Sequence, residues 1–437
     1  MRTHTIPPRL KRTVRPERVP TPGIERAARD TAGFWESVRR TGTPLVGEAD
    51  AEGRRTVTFL WRGGDELADV LLVANKVADA DSYDHNRMER LPGTDLWHLT
   101  YRMRGDWRAS YTVAPVPAGA GSDDPAALPE TLRVRRERAL AVSDPADRPA
   151  VARWFAALAH AVADPLARER LDGGHSVVSL PEAPAPLAGA PDAPAGRVEE
   201  HRFTSAVLGD SRPVWVHEPA RRPPGDRPWP VALLLDGRDW HTDLPRTLDG
   251  LVHAGTLPPM LTVMVDSLGF ASRSEQLACS DDFVRALGGE LLPWLGGRYP
   301  INADPRRTLV AGQSLGGLTA VHAALTDPDR FGRVVSQSGS FWWPNVAVTG
   351  GESERTTGRA TAADRLPDRV HLSAGTHEWS LLDPNRRLRD ALAARTAELG
   401  GDPAGVRLEE YHGGHDRACW RAGLPAALAF ATDDWER

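Results

Sequence analysis

Residues Val310-Ala311-Gly312-Gln313-Ser314-Leu315-Gly316-Gly317 run on into Leu318-Thr319-Ala320-Val321-His322-Ala323-Ala324-Leu325. An apolar stretch that ends in Gly-x-Ser-x-Gly and continues with small residues at helical spacing reads as a strand, a sharp turn and a helix. The flanking glycines permit the tight turn that lifts Ser314 Oγ out above a sheet, and they leave the Leu315 amide facing the place where an oxyanion would develop. Upstream, Arg307–Ala311 has strand character, and a second strand candidate, Gly332–Gly339, follows at the distance of a βαβ unit. Ser314 is the expected nucleophile.

This strand, elbow and helix are the signature of an α/β-hydrolase, so the expected fold class is α/β: a mostly parallel sheet with flanking helices. A serine hydroxyl needs a base to take its proton and an acid to hold that base in the right tautomer, and in this fold they follow the nucleophile as Asp or Glu, then His. Beyond His322, which reads as a packed or surface helical residue, four histidines remain: His371, His377, His412 and His415. His415 sits in the Gly-rich loop Tyr411-His412-Gly413-Gly414-His415-Asp416 after the strand-like Val406–Tyr411, where an imidazole can reach a serine, so it is the expected base, with His412 the close competitor. The strand-like Val370–Gly375 is followed by Glu378 and then Asp383. Glu378 is nearer the strand end and is preferred as the acid, with Asp383 staying open. The strand Val231–Leu235 and its Asp236-Gly237 turn offer the Arg238 amide as second oxyanion donor beside Leu315.

The 437 residues suffice for two or three domains, and 41% hydrophobic residues can fill ordinary cores. A net charge of -5, with 54 basic residues mixed among 59 acidic ones, argues against a nucleic-acid partner. Two cysteines, Cys279 and Cys419, make neither a disulfide framework nor a metal-ligand cluster. No apolar signal region follows the basic N-terminus, and no run approaches the ~20 apolar residues that span a bilayer. The expectation is a cytoplasmic protein with no membrane association, no resident metal and no cofactor.

Residues 1–30, rich in Arg and Pro, are expected as a flexible arm. Short strand-like runs such as Thr56–Trp61, Asp69–Ala74, Leu96–Tyr101 and Ala109–Ala114, separated by turns, predict a small β-sandwich over 31–118. A helical and then Pro/Ala-rich linker over 119–196 precedes the catalytic domain at 197–437.

With these residues in view, the chain resembles the enterochelin esterases of the esterase D branch of α/β-hydrolases. The resemblance rests on Leu235-Asp236-Gly237 with Trp240, Asp266-Ser267 with Arg273–Leu277, Glu290–Pro293, Ala311–Leu318, Ser336–Pro344, and Gly413–Asp416 with Cys419-Trp420-Arg421. In the N-terminal part it rests on Val57–Arg62, Gly93–Trp97 and Trp107–Tyr111. It implies Ser314, His415 and Glu378 in their respective roles, and an esterase cutting the trilactone of a ferric catecholate siderophore. Such a substrate is bulky, aromatic and anionic, so Arg238, Arg273, Trp342 and Trp343 are expected as its contacts. The alternatives are a general carboxylesterase or acyltransferase of the same branch and a non-catalytic siderophore-binding protein. The oligomeric state is left open.

Overall fold

In the computed structural model, residues 5–8, 15–119, 128–171, 173–186, 189–346, 350–351 and 353–436 are described. Its N-terminal half is a sandwich of two antiparallel sheets. One sheet has the order β1-β6-β3-β2, from β1 (Glu17–Arg18), β2 (Leu45–Ala49), β3 (Arg54–Arg62) and β6 (Leu96–Arg104), with β5 (Glu89–Arg90) also on β6. The other has the order β4-β7-β9-β8, from β4 (Leu67–Ala74), β7 (Arg108–Pro117), β8 (Glu169–Leu171) and β9 (His175–Ser179). Val57 and Phe59 of β3, Val70 and Leu72 of β4, and Tyr101, Trp107 and Tyr111 fill the space between the sheets. The outer faces are covered as well. Leu60 meets Trp35 and Val38 of the helix Thr31–Thr41, and Leu71 meets Trp154 and Phe155 of the helix Arg148–Leu158. Burial on both faces suits the unbroken apolar run Val70–Ala74 of β4.

Two expectations change here. The arm is built into the sandwich over much of its described length: β1 pairs with β6, Ile24–Arg29 is helical, and Ile6 is buried. Residues 1–4 and 9–14 lie outside the described residues. The sandwich also continues past 118, because β9 pairs with β7 after an excursion through two helices. That pairing is non-local, and His-Ser-Val-Val-Ser is too short to announce a strand by periodicity. The Pro/Ala-rich stretch is anchored: Ala190 N–H bonds Gly250 O, and Arg246 holds the carbonyls of Pro191 and Ala193. Residues 187 and 188 of that stretch lie outside the described residues.

The C-terminal half is an eight-stranded sheet of order β10-β11-β13-β12-β14-β15-β16-β17. Its members are β10 (Arg197–Ser205), β11 (Asp210–Glu218), β12 (Val231–Leu235), β13 (Leu261–Val265), β14 (Thr308–Gln313), β15 (Arg333–Gln337), β16 (Arg369–Gly375) and β17 (Val406–Tyr411). From β13 to β17 neighbouring strands run parallel, and β10 and β11 form an antiparallel edge. Helices bury one core on each face, one around Val310, Leu318 and Val334 and the other around Leu234, Leu309 and Leu424. After β12 the chain moves to β13 on one side and then to β14 on the other. The crevice of an α/β sheet opens at such a reversal, beyond the carboxyl ends of the strands, and this is where β14 delivers Ser314 and β12 delivers Asp236.

Candidate active site

β14 ends at Gln313, Ser314 is the one-residue elbow, and the helix Leu315–Thr326 begins at once. Ser314 adopts φ 59° and ψ −119°, a strained conformation for a residue with a Cβ. The turn holds that strain through the Ser314 N–H on Gln337 O (3.0 Å) and through Ser314 O, which accepts from Ser340 and Leu318. Gly312 makes the elbow sterically possible, since a Cβ there would lie 2.4 Å from the Gly316 carbonyl carbon. That carbon belongs to the backbone and cannot swing aside. Gly312→Ala is expected to destabilise the fold by about 3 kcal/mol, read as a lower midpoint in chemical denaturation; an unchanged midpoint contradicts this packing.

Glu378 follows β16 at the start of the helix Trp379–Glu398, and His415 lies in the loop after β17. His415 Nδ1 stands 2.7 Å from Glu378 Oε2. A carboxylate only accepts, so Nδ1 carries the proton and Nε2 is left with its lone pair. Glu378 is 1% exposed, and its other oxygen accepts from Ser338 Oγ (2.6 Å), Gly375 N–H (2.8 Å) and Tyr411 OH (3.0 Å). Burial alone would raise this carboxyl, but the nearby imidazole and the hydrogen bonds from His415, Ser338 and Gly375 outweigh it and hold its pKa below the usual value. The His415 ring packs edge-on against Trp420, 4.8 Å between centroids, and Trp420 Nε1 donates to Ser338 Oγ.

Gln337 ties the two halves of this arrangement together. Its carbonyl accepts from Ser314 N–H, its side-chain amide donates to Trp420 O, and Gln313 Nε2 donates to its side-chain oxygen. Ser338, Tyr411, Gln337 and Trp420 are absent from the sequence-derived site. Ser336–Pro344 and the Trp420 segment do occur in the family resemblance, which was the available signal.

Asp383, the alternative acid, points to solvent and pairs with Arg386 at 3.0 Å. His412 stands 3.1 Å from Asp106 and 3.0 Å from His377, facing the sandwich. His371 is buried near Glu409. His322 is buried between Asp281 and Arg359, where burial and the Arg359 charge hold its pKa below the ordinary histidine value.

On the other flank of Ser314, Asp236 has φ 57° and leads into a single helical turn, Gly237–Asp239. The first N–H groups of such a turn and of the Leu315 helix have no partner within it, which suits the Arg238 and Leu315 amides to an oxyanion. Arg273 grips both oxygens of Asp236 (2.8 and 2.7 Å), whereas Arg238 bonds Asp266 at 2.8 Å with its side chain 69% exposed. Trp342 and Trp343 are each 4% exposed and belong to the core. The apolar run they close is filled by packing, so of the four expected contacts Arg238 offers the most accessible surface. Both cysteines are free thiols. Among the described residues no His, Cys, Asp and Glu cluster is arranged to hold a metal ion, and no helix is long and apolar enough to cross a membrane.

Comparison with known proteins adds the lineage. Residues 205–431 match the family model of the putative esterases, and residues 56–188 match that of the enterochelin esterase N-terminal domain. The chain is 34% identical to the iron(III) enterobactin esterase of Dickeya dadantii, the match covering 90% of each chain. This chain belongs to the enterochelin esterase family. It is an enzyme of the ester-hydrolysing class. The Escherichia coli K12 iron(III) enterobactin esterase is 32% identical over 85% of this chain and 90% of its own length. Among solved structures, the ferric enterobactin esterase of Salmonella typhimurium superposes with a TM-score of 0.76 at 30% identity, covering 92% of this chain and 98% of that one. The Shigella flexneri enterobactin esterase, crystallised in the presence of enterobactin, gives 0.71 at 30% identity, covering 92% and 98%. Both halves of this enterochelin esterase family member thus have counterparts in the same relatives.

Proposed function

We propose that this enzyme hydrolyses the ester bonds of a catecholate siderophore trilactone, taken in its ferric form, and so frees monomer units and the iron they carry. Ser314 Oγ attacks the ester carbonyl while His415 Nε2 takes its proton, and the Leu315 and Arg238 amides hold the tetrahedral oxyanion. Collapse expels the alkoxide, which receives the proton from His415 and leaves as an alcohol. Water then attacks the acyl-serine with His415 again as base, releasing the carboxylic acid and restoring Ser314. Glu378 keeps the proton on Nδ1 throughout. Iron enters as cargo, held by the catecholates.

The observation that carries the substrate reading is a cleft of about 370 Å³ beside the His415 loop, where the sandwich meets the loops after β16 and β17. Arg15, Arg54, Lys76, Arg102 and Arg104 line it against a single carboxylate, Glu17, and Trp379 with His377 supplies an aromatic wall. Cations and ring faces suit an anionic aromatic chelate and are wasted on a small neutral ester. Two free thiols fit a reducing compartment, and we place the reaction in the cytoplasm.

The test is chromatography of products from ferric and iron-free cyclic trilactones. Release of linear fragments and monomer is expected, with the ferric form preferred; cleavage of small aryl esters alone would remove the siderophore from the reading. Reversing charge in the cleft with Arg54→Glu is expected to raise KM for the ferric trilactone about 10-fold at low ionic strength, and less as salt is added. An unchanged KM at low salt would separate this cleft from the substrate.

A further inference from the structure

The loop that carries His415 is held from two sides, by its own domain, where His377 N–H donates to Gly413 O (3.0 Å) and Tyr411 OH to Gly414 O (3.1 Å), and by the sandwich. Arg108 N–H, at the start of β7, donates to His412 O (3.1 Å). Asn75, just after β4, donates its side-chain amide to His415 O (2.9 Å). Ser110 N–H on β7 donates to Asp416 Oδ2 (2.5 Å), while Asp416 Oδ1 caps the helix Arg417–Ala431 through Ala418 N–H (2.9 Å). Cys419 Sγ donates to Arg108 O (3.4 Å). Asn75 is itself pinned to β7, its N–H bonding Ser110 O (2.9 Å). The approach leaves no room for a side chain at the junction. A Cβ on Gly413 would sit 2.9 Å from Arg108 O, and one on Gly414 would sit 2.7 Å from Lys76 Cβ.

From this geometry we propose that the sandwich is part of the catalytic apparatus, with Asn75 as a positioning residue that sets where the His415 imidazole stands. The inference rests on His415 being the base. A carbonyl oxygen can only accept, so the Asn75 amide must present its nitrogen, and that single donor fixes the peptide plane from which the His415 side chain departs. Glu378 and Trp420 orient the ring from the hydrolase side, and Asn75 and Ser110 locate its backbone from the other side. A sandwich kept only for binding substrate would not need to grip both residues 415 and 416. Reactive groups displaced by about 1 Å lose on the order of 100-fold in rate, so a contact of this kind reports in kcat.

The test compares Asn75→Leu, which keeps the shape and removes the donor, and Asn75→Ala with Asn86→Ala. Asn86 is buried in the sandwich on Tyr101 and Ser82, away from the loop. Full-length proteins are assayed on a small aryl ester, with fluorophosphonate labelling of Ser314 as a second readout. Both Asn75 variants are expected to lose about 10- to 100-fold in kcat and in labelling rate, with KM moving less than about twofold. Asn86→Ala should lower the melting midpoint and spare kcat. Wild-type kcat in the Asn75 variants overturns the inference, and so does an equal kcat loss in Asn86→Ala, because the effect is then general loosening. His415→Ala run alongside separates the two levels: if it retains activity, the assignment of the base has failed, not the positioning role.

Discussion

Ser314→Ala is expected to lower kcat on a ferric trilactone by at least about 10^4-fold while leaving KM within a few-fold. In the proposed mechanism the hydroxyl is the group that bonds to the acyl carbon, and no neighbouring side chain is placed to replace it: Ser338 Oγ is committed to Glu378, Cys419 is buried, and the half-buried Cys279 has its thiol pushed up to about 12 by desolvation. The proposed oxyanion donors and substrate cleft are untouched by this change, so a residual rate above the uncatalysed one should remain. His415→Ala should lose nearly as much, and the double variant little more, because in the proposed mechanism the two act as one unit. Melting midpoints keep the comparison clean. Alanine at 314 still has to occupy φ 59°, so the elbow strain persists and stability should change little. Turnover near the wild-type level in Ser314→Ala would end the acyl-enzyme mechanism.

The elbow is legible in the sequence because its determinants are local: glycines, a serine and two periodicities lie within 16 residues, and each constrains the same turn. The parallel sheet is legible for a similar reason, since a strand fully buried on both faces declares itself by an apolar run of four to six residues. What the sequence hides is pairing across distance. Asn75 and His415 are 340 positions apart, and neither Asn75 nor Ser110 differs in type from any other polar residue of a sandwich strand end. The network around Glu378 is hidden in the same way, since Ser338 and Tyr411 are ordinary strand-end residues until β15, β16 and β17 stand side by side. Trp342 and Trp343 show the opposite ambiguity. An aromatic pair suits a ligand face or a core equally well, and here the core takes them. The first 30 residues mislead through composition: Arg and Pro disfavour regular periodicity, but two residues on an open strand edge and a one-and-a-half-turn helix need none.

Glu378→Gln should cost about 10^3-fold in kcat with the shape of the site intact. The replacement keeps an oxygen and a nitrogen where the carboxylate had two oxygens, so either the amide donates to Nδ1 and forces the proton onto Nε2, or it accepts from Nδ1 without a charge to stabilise the imidazolium formed when Ser314 is deprotonated. Each outcome disables the base. The same substitution has a signature in stability against pH. Glu378 titrates below its ordinary value in the folded enzyme and near about 4.3 in the unfolded chain, so the unfolded state binds the extra proton as pH falls. Its contribution is therefore complete above the ordinary carboxylate range and is lost as acid approaches the lowered folded value. Glu378→Gln removes that dependence, and the denaturation midpoint of the variant should fall less steeply than that of the wild type below about pH 4.5. The two readouts answer different questions. A flattened acid limb with full activity would mean that Ser314 and His415 work as a dyad and that Glu378 is a structural carboxylate. Lost activity with an unchanged acid limb would place the ionised charge on another group. Only the joint loss fits a buried acid that holds one proton on Nδ1 through three donors on its far oxygen.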